Sequence, residues 1–269
     1  MEINFGPAGI GGKNEAIKNL EMYKKHGLKA AEVEFTYGIY LNNEDAKKIG
    51  MVAKNLGISL SIHAPYYINL NSEDKKKQEA SKKRILESCE RAHYLNAKYV
   101  TFHAAFYGKN KEECYDIVKK SILEMQQVIK KNNWKVILAP ETTGKPSQFG
   151  SLQELLRLMQ ETKCFFTLDF AHLKAREGKI NYDEIFKLVK KARIQELHCH
   201  FSGIEYSNKG EKKHIVTSEK EWRELLLNFK KHRLNACIIN ESPKPLEDSI
   251  KGLKIWKDMV SLKKSDLFN

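Results

Sequence analysis

Ser59-Leu60-Ser61-Ile62-His63 and Lys98-Tyr99-Val100-Thr101-Phe102-His103 are two short strand-type runs, each ending in histidine. Between them, Glu73–Leu95 carries the apolar spacing of an amphipathic helix. Strands joined through a helix pair in parallel, because tight hairpin turns join only antiparallel neighbours. The same unit recurs throughout the chain. Further strand-type runs at Glu2–Phe5, Ala30–Phe35, Lys135–Pro140, Cys164–Asp169, Glu196–Phe201 and Ala236–Asn240 complete a set of eight. The intervening amphipathic segments are Glu15–His26, Glu44–Leu56, Lys111–Asn132, Leu152–Glu161, Tyr182–Lys191, Glu219–Lys230 and Leu246–Met259. Eight units in 269 residues fit an α/β fold closed as a (β/α)8 TIM barrel better than an open doubly wound sheet. Phe5-Gly6-Pro7-Ala8-Gly9-Ile10-Gly11-Gly12, after the first strand, lacks the spacing of a dinucleotide fingerprint. No low-complexity linker divides the chain, so one domain spanning 1–269 is expected.

The composition narrows the class. With 41% apolar residues the chain can bury a full core, which excludes a disordered protein. No apolar run approaches the roughly 20 residues of a membrane span. Met1-Glu2-Ile3-Asn4 shows no basic-then-apolar leader, so a cytoplasmic protein without membrane contact is expected. The five cysteines are widely separated, as reduced packing thiols would be. The excess of 47 Lys+Arg over 34 Asp+Glu gives +13, which suits a polyanionic partner.

Six of the nine histidines fall at strand ends or in the following loops. His63 ends the third strand, His103 the fourth, and Glu141 follows the fifth. Asp169 ends the sixth, with His172 three residues on. His198 and His200 lie on the seventh, and His214 follows in its long loop. Glu241 ends the eighth. In a (β/α)8 barrel these positions converge at the C-terminal mouth, where active sites are built. His, Asp and Glu without cysteine are donors for Zn2+ or Mn2+. Asp169 and His172, diverging on a turn, suit two neighbouring ions better than one. Glu141, central in the ring, has two oxygens with which to bridge. Side chains on a strand alternate, so His198 and His200 share a face, with His200 nearer the rim and His198 a layer deeper. Glu32 and Glu34 alternate on the second strand, where either a structural ion pair or a site role is open.

Ile62-His63-Ala64-Pro65-Tyr66-Tyr67-Ile68-Asn69-Leu70, Thr101-Phe102-His103, Glu141-Thr142-Thr143-Gly144, Ser147-Gln148-Phe149-Gly150, Asp169-Phe170-Ala171-His172 and Glu241 together resemble endonuclease IV. That enzyme is a metal-dependent apurinic/apyrimidinic endonuclease within the xylose-isomerase type of barrel, and the likeness spans nearly the whole chain. It implies two or three Zn2+ ions, with Mn2+ as an alternative. By that resemblance His63, His103 and Glu141 correspond to a first site. Glu141, Asp169, His200 and Glu241 correspond to a second, and His172 and His214 to part of a third. Tyr66 corresponds to a tyrosine near the abasic sugar-phosphate, and the metal-bridging Glu141 becomes the candidate catalytic residue. The implied partner is double-stranded DNA carrying abasic sites, and the implied state a monomer.

The sequence also departs from that pattern. The family spaces its third-site pair Asp-x-His, whereas this chain reads Gly210-Glu211-Lys212-Lys213-His214, with Lys212 in the Asp position and Glu211 one residue away. Thr36-Tyr37-Gly38-Ile39-Tyr40 lacks the arginine of the family's DNA-penetrating loop, and Phe5-Gly6-Pro7 stands where a histidine is usual. Basic loop residues Lys145, Lys174, Arg176, Lys209, Lys212 and Lys213 are candidates for phosphate contacts. The expected reaction is hydrolysis 5′ to an abasic nucleotide. A metal-dependent sugar isomerase or epimerase on the same barrel is the alternative.

Overall fold

The eight strand-type runs form a parallel barrel in a computed structural model that describes residues 1–265. In chain order the elements are β1 (Ile3–Pro7), α1 (Ala16–Lys25), β2 (Ala30–Glu34), α2 (Asn43–Leu56), β3 (Ser59–His63), α3 (Lys75–Leu95), β4 (Tyr99–Phe102), α4 (Lys111–Lys131), β5 (Ile137–Pro140) and α5 (Leu152–Thr162). The second part of the chain holds β6 (Leu168–Asp169), α6 (Phe170–Glu177), α7 (Tyr182–Lys191), β7 (Glu196–Phe201), β8 (Gly203–Ser207), β9 (Gly210–Ile215), α8 (Glu219–His232), β10 (Asn235–Asn240) and α9 (Pro245–Ser265).

The barrel is two four-stranded sheets, ordered β1-β10-β7-β6 and β2-β3-β4-β5, stitched along both edges. Parallel bridges join Ala8 to Glu32 on one side and Glu141 to Thr167 on the other. Gly9 N donates to Glu32 O (2.9 Å), and Thr167 N to Pro140 O (3.1 Å). Closure leaves the barrel without a free edge. At Gly6 a Cβ would lie 1.9 Å from Ala30 O, so only glycine lets β1 approach β2 this closely.

Helices begin where side chains can satisfy free backbone N–H groups. Ser151 and Ser218 form capping boxes with Glu154 and Glu221, starting α5 and α8. The buried faces of the helices meet an aromatic core in which Trp222 of α8 packs edge-on against Phe5 of β1 and Phe201 of β7. No helix among the described residues is long and apolar enough to cross a membrane.

Two features lie beyond the eightfold reading. The strand expected over Cys164–Asp169 pairs as β6 only at Leu168–Asp169, and α6 begins at once, because the Asp169 side chain accepts from His172 N (2.7 Å). The long loop after β7 is the antiparallel hairpin β8–β9, in which Ile204 pairs with His214. Its turn uses Gly210 at φ +95°, a left-handed conformation that glycine adopts readily.

Candidate metal centre

Short parallel strands carry the donor residues to one end of the barrel. Register places Glu34 beside His63, and Asp169 beside His200. At the centre is the fully buried carboxylate of Glu141. His63 Nε2 lies 3.2 Å and His103 Nε2 2.9 Å from Glu141 Oε2, while His200 Nδ1 lies 3.0 Å and His172 Nδ1 3.4 Å from Oε1. His200 Nδ1 also lies 3.2 Å from Glu241 Oε1. Among the described residues, five sets have all donor atoms within 4.8 Å of one another. Two centre on Glu32, with His198 and His200 and with Glu34 and Glu241. The other three are His63, His103 and Glu141; Glu141, Asp169, His200 and Glu241; and Asp169, His172 and His214.

The spacing of Asp169 and His172 suits separate ions, yet Asp169 falls in two of these sets, one of them with His172. The helix cap explains the difference. With Asp169 as N-cap and His172 on the first turn, the two side chains fold back toward each other, leaving His172 Nδ1 3.4 Å from Asp169 Oδ2. His214 lies on strand β9 rather than in irregular loop, and the hairpin sets it edge-on to His172, with ring centroids 5.2 Å apart. Glu211 approaches the same pair, with Oε2 3.4 Å from His172 Nε2 and Oε1 4.0 Å from His214 Nε2. Lys212 turns instead toward Glu205 (3.9 Å). Gly144 makes room for this arrangement, since a Cβ there would stand 2.7 Å from the Glu211 side chain.

Backbone and hydroxyl partners fix several rings. His63 Nδ1 contacts Ala64 O (2.8 Å), and His172 Nδ1 contacts Thr142 O (2.9 Å). His214 Nδ1 meets Ser202 Oγ (2.7 Å). A nitrogen held this way selects the tautomer and leaves the opposite Nε2 as the available donor atom. Tyr66 stands half-exposed at the rim, edge-on to His63 at 5.5 Å.

With this geometry in place, comparison with known proteins is decisive on kinship. Residues 20–259 match the family described as xylose isomerase-like TIM barrel. The chain belongs to that family. An uncharacterized protein of Methanocaldococcus jannaschii is 34% identical over 270 residues, covering 95% of this chain and 97% of its own. Among solved structures, a D-tagatose 3-epimerase-like protein superposes with a TM-score of 0.72 at 16% identity, over 98% of this chain and 100% of its own. Endonuclease IV of Thermus thermophilus does so with a TM-score of 0.68 at 19% identity, over 97% and 99%. These two structural likenesses show the xylose isomerase-like barrel and nothing finer.

The charges of these side chains are strongly interdependent. Burial opposes charge on Glu141, but the imidazoles of His200, His103 and His172 hold its carboxyl well below the ordinary range. Glu241 falls to about 2, because His200 outweighs its burial. Asp169 moves the other way, to about 8, driven by burial and by the charges of Glu241 and Glu141. Burial disfavours the imidazolium of His63, yet its hydrogen bond to Glu141 and the charges of Glu34 and Glu141 lift it to about 10. The carboxylates thus favour the imidazolium forms of His63, His172 and His200, at positions where a divalent ion would compete with those protons. The buried Asp169 Oδ2 has no hydrogen-bond partner, although its companion oxygen caps α6. An orphaned, inward-facing carboxylate oxygen amid N and O donors fits a divalent ion such as Zn2+ or Mn2+.

Several residues differ from their sequence-based roles. Arg176, a candidate for phosphate contact, turns inward and donates to Lys145 O (2.7 Å) and Gln148 O (3.0 Å), securing the loop after β5. Lys174 pairs with Glu221 at 2.9 Å, and Lys213 with Glu205 at 3.2 Å. Lys145 and Lys209 remain exposed. His198 lies below the mouth, stacked on Tyr99 at 5.1 Å, with Nε2 3.2 Å from Glu32 Oε2. The role of Glu32, left open in the sequence, turns on its neighbours. It is fully buried and touches both His198 and His200. Glu34 is half-buried, and desolvation with the charges of Glu32 and Glu241 raises its carboxyl to about 8. The legible signal for both was a pair of carboxylates alternating on an otherwise apolar strand.

Proposed function

We propose that this barrel is a metal-dependent apurinic/apyrimidinic endonuclease that hydrolyses the phosphodiester 5′ to an abasic site in duplex DNA, leaving a 3′-hydroxyl and a 5′-deoxyribose phosphate. One observation carries the reading. Beyond the Glu141, Asp169, His200 and Glu241 set, which alone would serve a single ion, the mouth offers two further donor sets built on His63 with His103 and on His172 with His214. One substrate polarised by a single ion leaves those four histidines unexplained, whereas phosphodiester cleavage uses neighbouring ions on the attacking and leaving oxygens.

His63, His103, Glu141, Asp169, His172, His200, His214 and Glu241 are the residues that would hold two or three Zn2+ ions. Divalent ions bound there supply Lewis-acid polarisation of the phosphate and activation of water. Glu141, shared by two sets, keeps them in fixed relation. Partial desolvation at the mouth and the charges of Glu34, Glu241 and Glu141 raise the Tyr66 phenol above its ordinary range, so its hydroxyl stays protonated and can donate to a sugar or phosphate oxygen entering over His63. The net charge of +13 favours a polyanion. An abasic nucleotide enters a barrel mouth at lower cost than an intact one, having no base to unstack.

The deciding assay uses the purified protein, reloaded with Zn2+ or Mn2+, on a duplex bearing one tetrahydrofuran abasic analogue. That analogue cannot undergo β-elimination, so a cut is hydrolytic. The expected result is one incision with an extendable 3′-hydroxyl, absent from an intact duplex and lost in Glu141→Gln. No incision under any metal refutes the proposal. Epimerisation of a ketohexose would then support the alternative, which draws on the sufficiency of the four-residue set for a single ion.

A further inference from the structure

His200 is anchored differently from the other rings of the mouth. His63, His172 and His214 each rest Nδ1 on a protein oxygen, whereas His200 turns Nδ1 toward Glu141 and Glu241 and points Nε2 down the barrel. Beneath it, Glu32 Oε1 lies 2.7 Å from His200 Nε2. The other oxygen of Glu32 accepts from Ser61 Oγ (2.5 Å) and contacts His198 Nε2 (3.2 Å). All four residues are buried. Neither Glu32 Oε1 nor His200 Nε2 has an aligned hydrogen-bond partner, and each is the other's near polar neighbour.

From this we infer that Glu32, braced by His198 and Ser61, is the positioning residue that holds His200 with its proton on Nε2 and its lone pair on Nδ1, facing the metal centre. The inference rests on the metal-site reading above. A carboxylate behind a ligating imidazole fixes ring orientation and tautomer and raises ligand basicity. The arrangement is directional. Were the proton on Nδ1, it would occupy the lone pair facing Glu141 and Glu241, and Nε2 would set an unprotonated nitrogen against the Glu32 carboxylate. Two lone pairs at 2.7 Å in a buried site repel. His198 also lines a cavity of about 340 Å3 at the opposite end of the barrel, with Asn4, Ser61, Tyr99 and Cys237, so its replacement by a residue of similar size has space.

The test uses the full chain with 15N-labelled histidine, chelated and then reloaded with Zn2+, observed by two-bond 1H–15N correlation. The expected pattern for His200, identified by its loss in His200→Gln, is a protonated Nε2 and a metal-bound Nδ1. A metal-bound Nε2 overturns the inference. This readout needs no substitution at Glu32, so a folding defect there cannot mask it. Chelator competition then gives Zn2+ affinity. Glu32→Gln and His198→Ala should bind about 10–100-fold more weakly. His198→Gln, whose amide still donates to Glu32, should stay within about threefold of the parent, a rescue that a packing role for the ring would not give. If the parent takes up Zn2+ and Glu32→Gln binds it equally well, the positioning role is refuted while the metal site stands. If the parent takes up none, the metal reading fails and the inference falls with it.

Discussion

Glu141→Gln is the most informative single substitution, because Glu141 belongs to two donor sets and not to the one formed by Asp169, His172 and His214. Replacing its carboxylate leaves His63 with His103 as a two-donor remnant and weakens the Asp169, His200 and Glu241 group, but does not touch the Asp169, His172 and His214 set. An ion that binds only the folded state stabilises it by about 4.1 kcal/mol at a thousandfold excess over its Kd. Unfolding entropy near 2.1 cal/mol/K per residue amounts to about 0.56 kcal/mol/K for this chain length, so each ion should raise Tm by roughly 7 °C. The parent should therefore gain roughly 15–20 °C between chelated and Zn2+-saturated protein, and Glu141→Gln no more than about 7 °C. Taking the difference within each protein removes the effect of the substitution on the metal-free fold. His172→Ala is the complement, losing one increment and keeping the others. Differential scanning fluorimetry reads the shift, and elemental analysis after gel filtration counts the ions. Equal ion counts and equal increments in the parent and Glu141→Gln would refute the bridging role.

Other consequences can be checked independently. Gly144→Ala places a Cβ 2.7 Å from Glu211 and 3.1 Å from His172 Cδ2, so it should displace the β8–β9 hairpin and lower the ion count while far-UV circular dichroism stays unchanged. Trp222→Ala empties a fully buried site between Phe5 and Phe201 and should cost about 3–5 kcal/mol in urea unfolding. Asp248 accepts from Thr217 N (2.7 Å) and Lys251 Nζ (2.7 Å), and although burial acts to raise it, these contacts hold its carboxyl below the ordinary value. A depressed folded-state value means its contribution is present above the unfolded value of about 3.9 and is lost as pH falls through the lower folded one. Asp248→Ala should accordingly cost about 1–3 kcal/mol at pH 7. Equilibrium unfolding should show that deficit narrowing below about pH 4, and a constant deficit across acid pH would contradict the assignment.

Much of this molecule was legible in one dimension. Alternating runs such as Ser59–His63 and Glu196–Phe201, separated by amphipathic segments, dictate parallel strands with crossover helices, because period and length are local properties. The direction of a parallel barrel then places every strand-end residue at one mouth, which is why His63, His103, Glu141, Asp169, His200 and Glu241 could be named together. The family relationship follows from the same positions.

What stayed hidden depends on contacts between segments distant in the chain. That Glu32 stands behind His200 depends on strands β2 and β7 facing each other across the barrel, a pairing no spacing rule encodes. Glu211 reaches His172 because Gly210 turns the hairpin back over Gly144, where any side chain would collide. Arg176 looks like a surface cation in sequence, yet the loop carbonyls after β5 draw it inward. The sequence alone therefore determined the barrel and which residues crowd its mouth, because side-chain period and strand direction are carried by each segment. Only the tertiary structure decided which nitrogen each ring presents and which oxygen stands behind it, because hydrogen bonds act over about 3 Å between atoms that the chain separates by many residues.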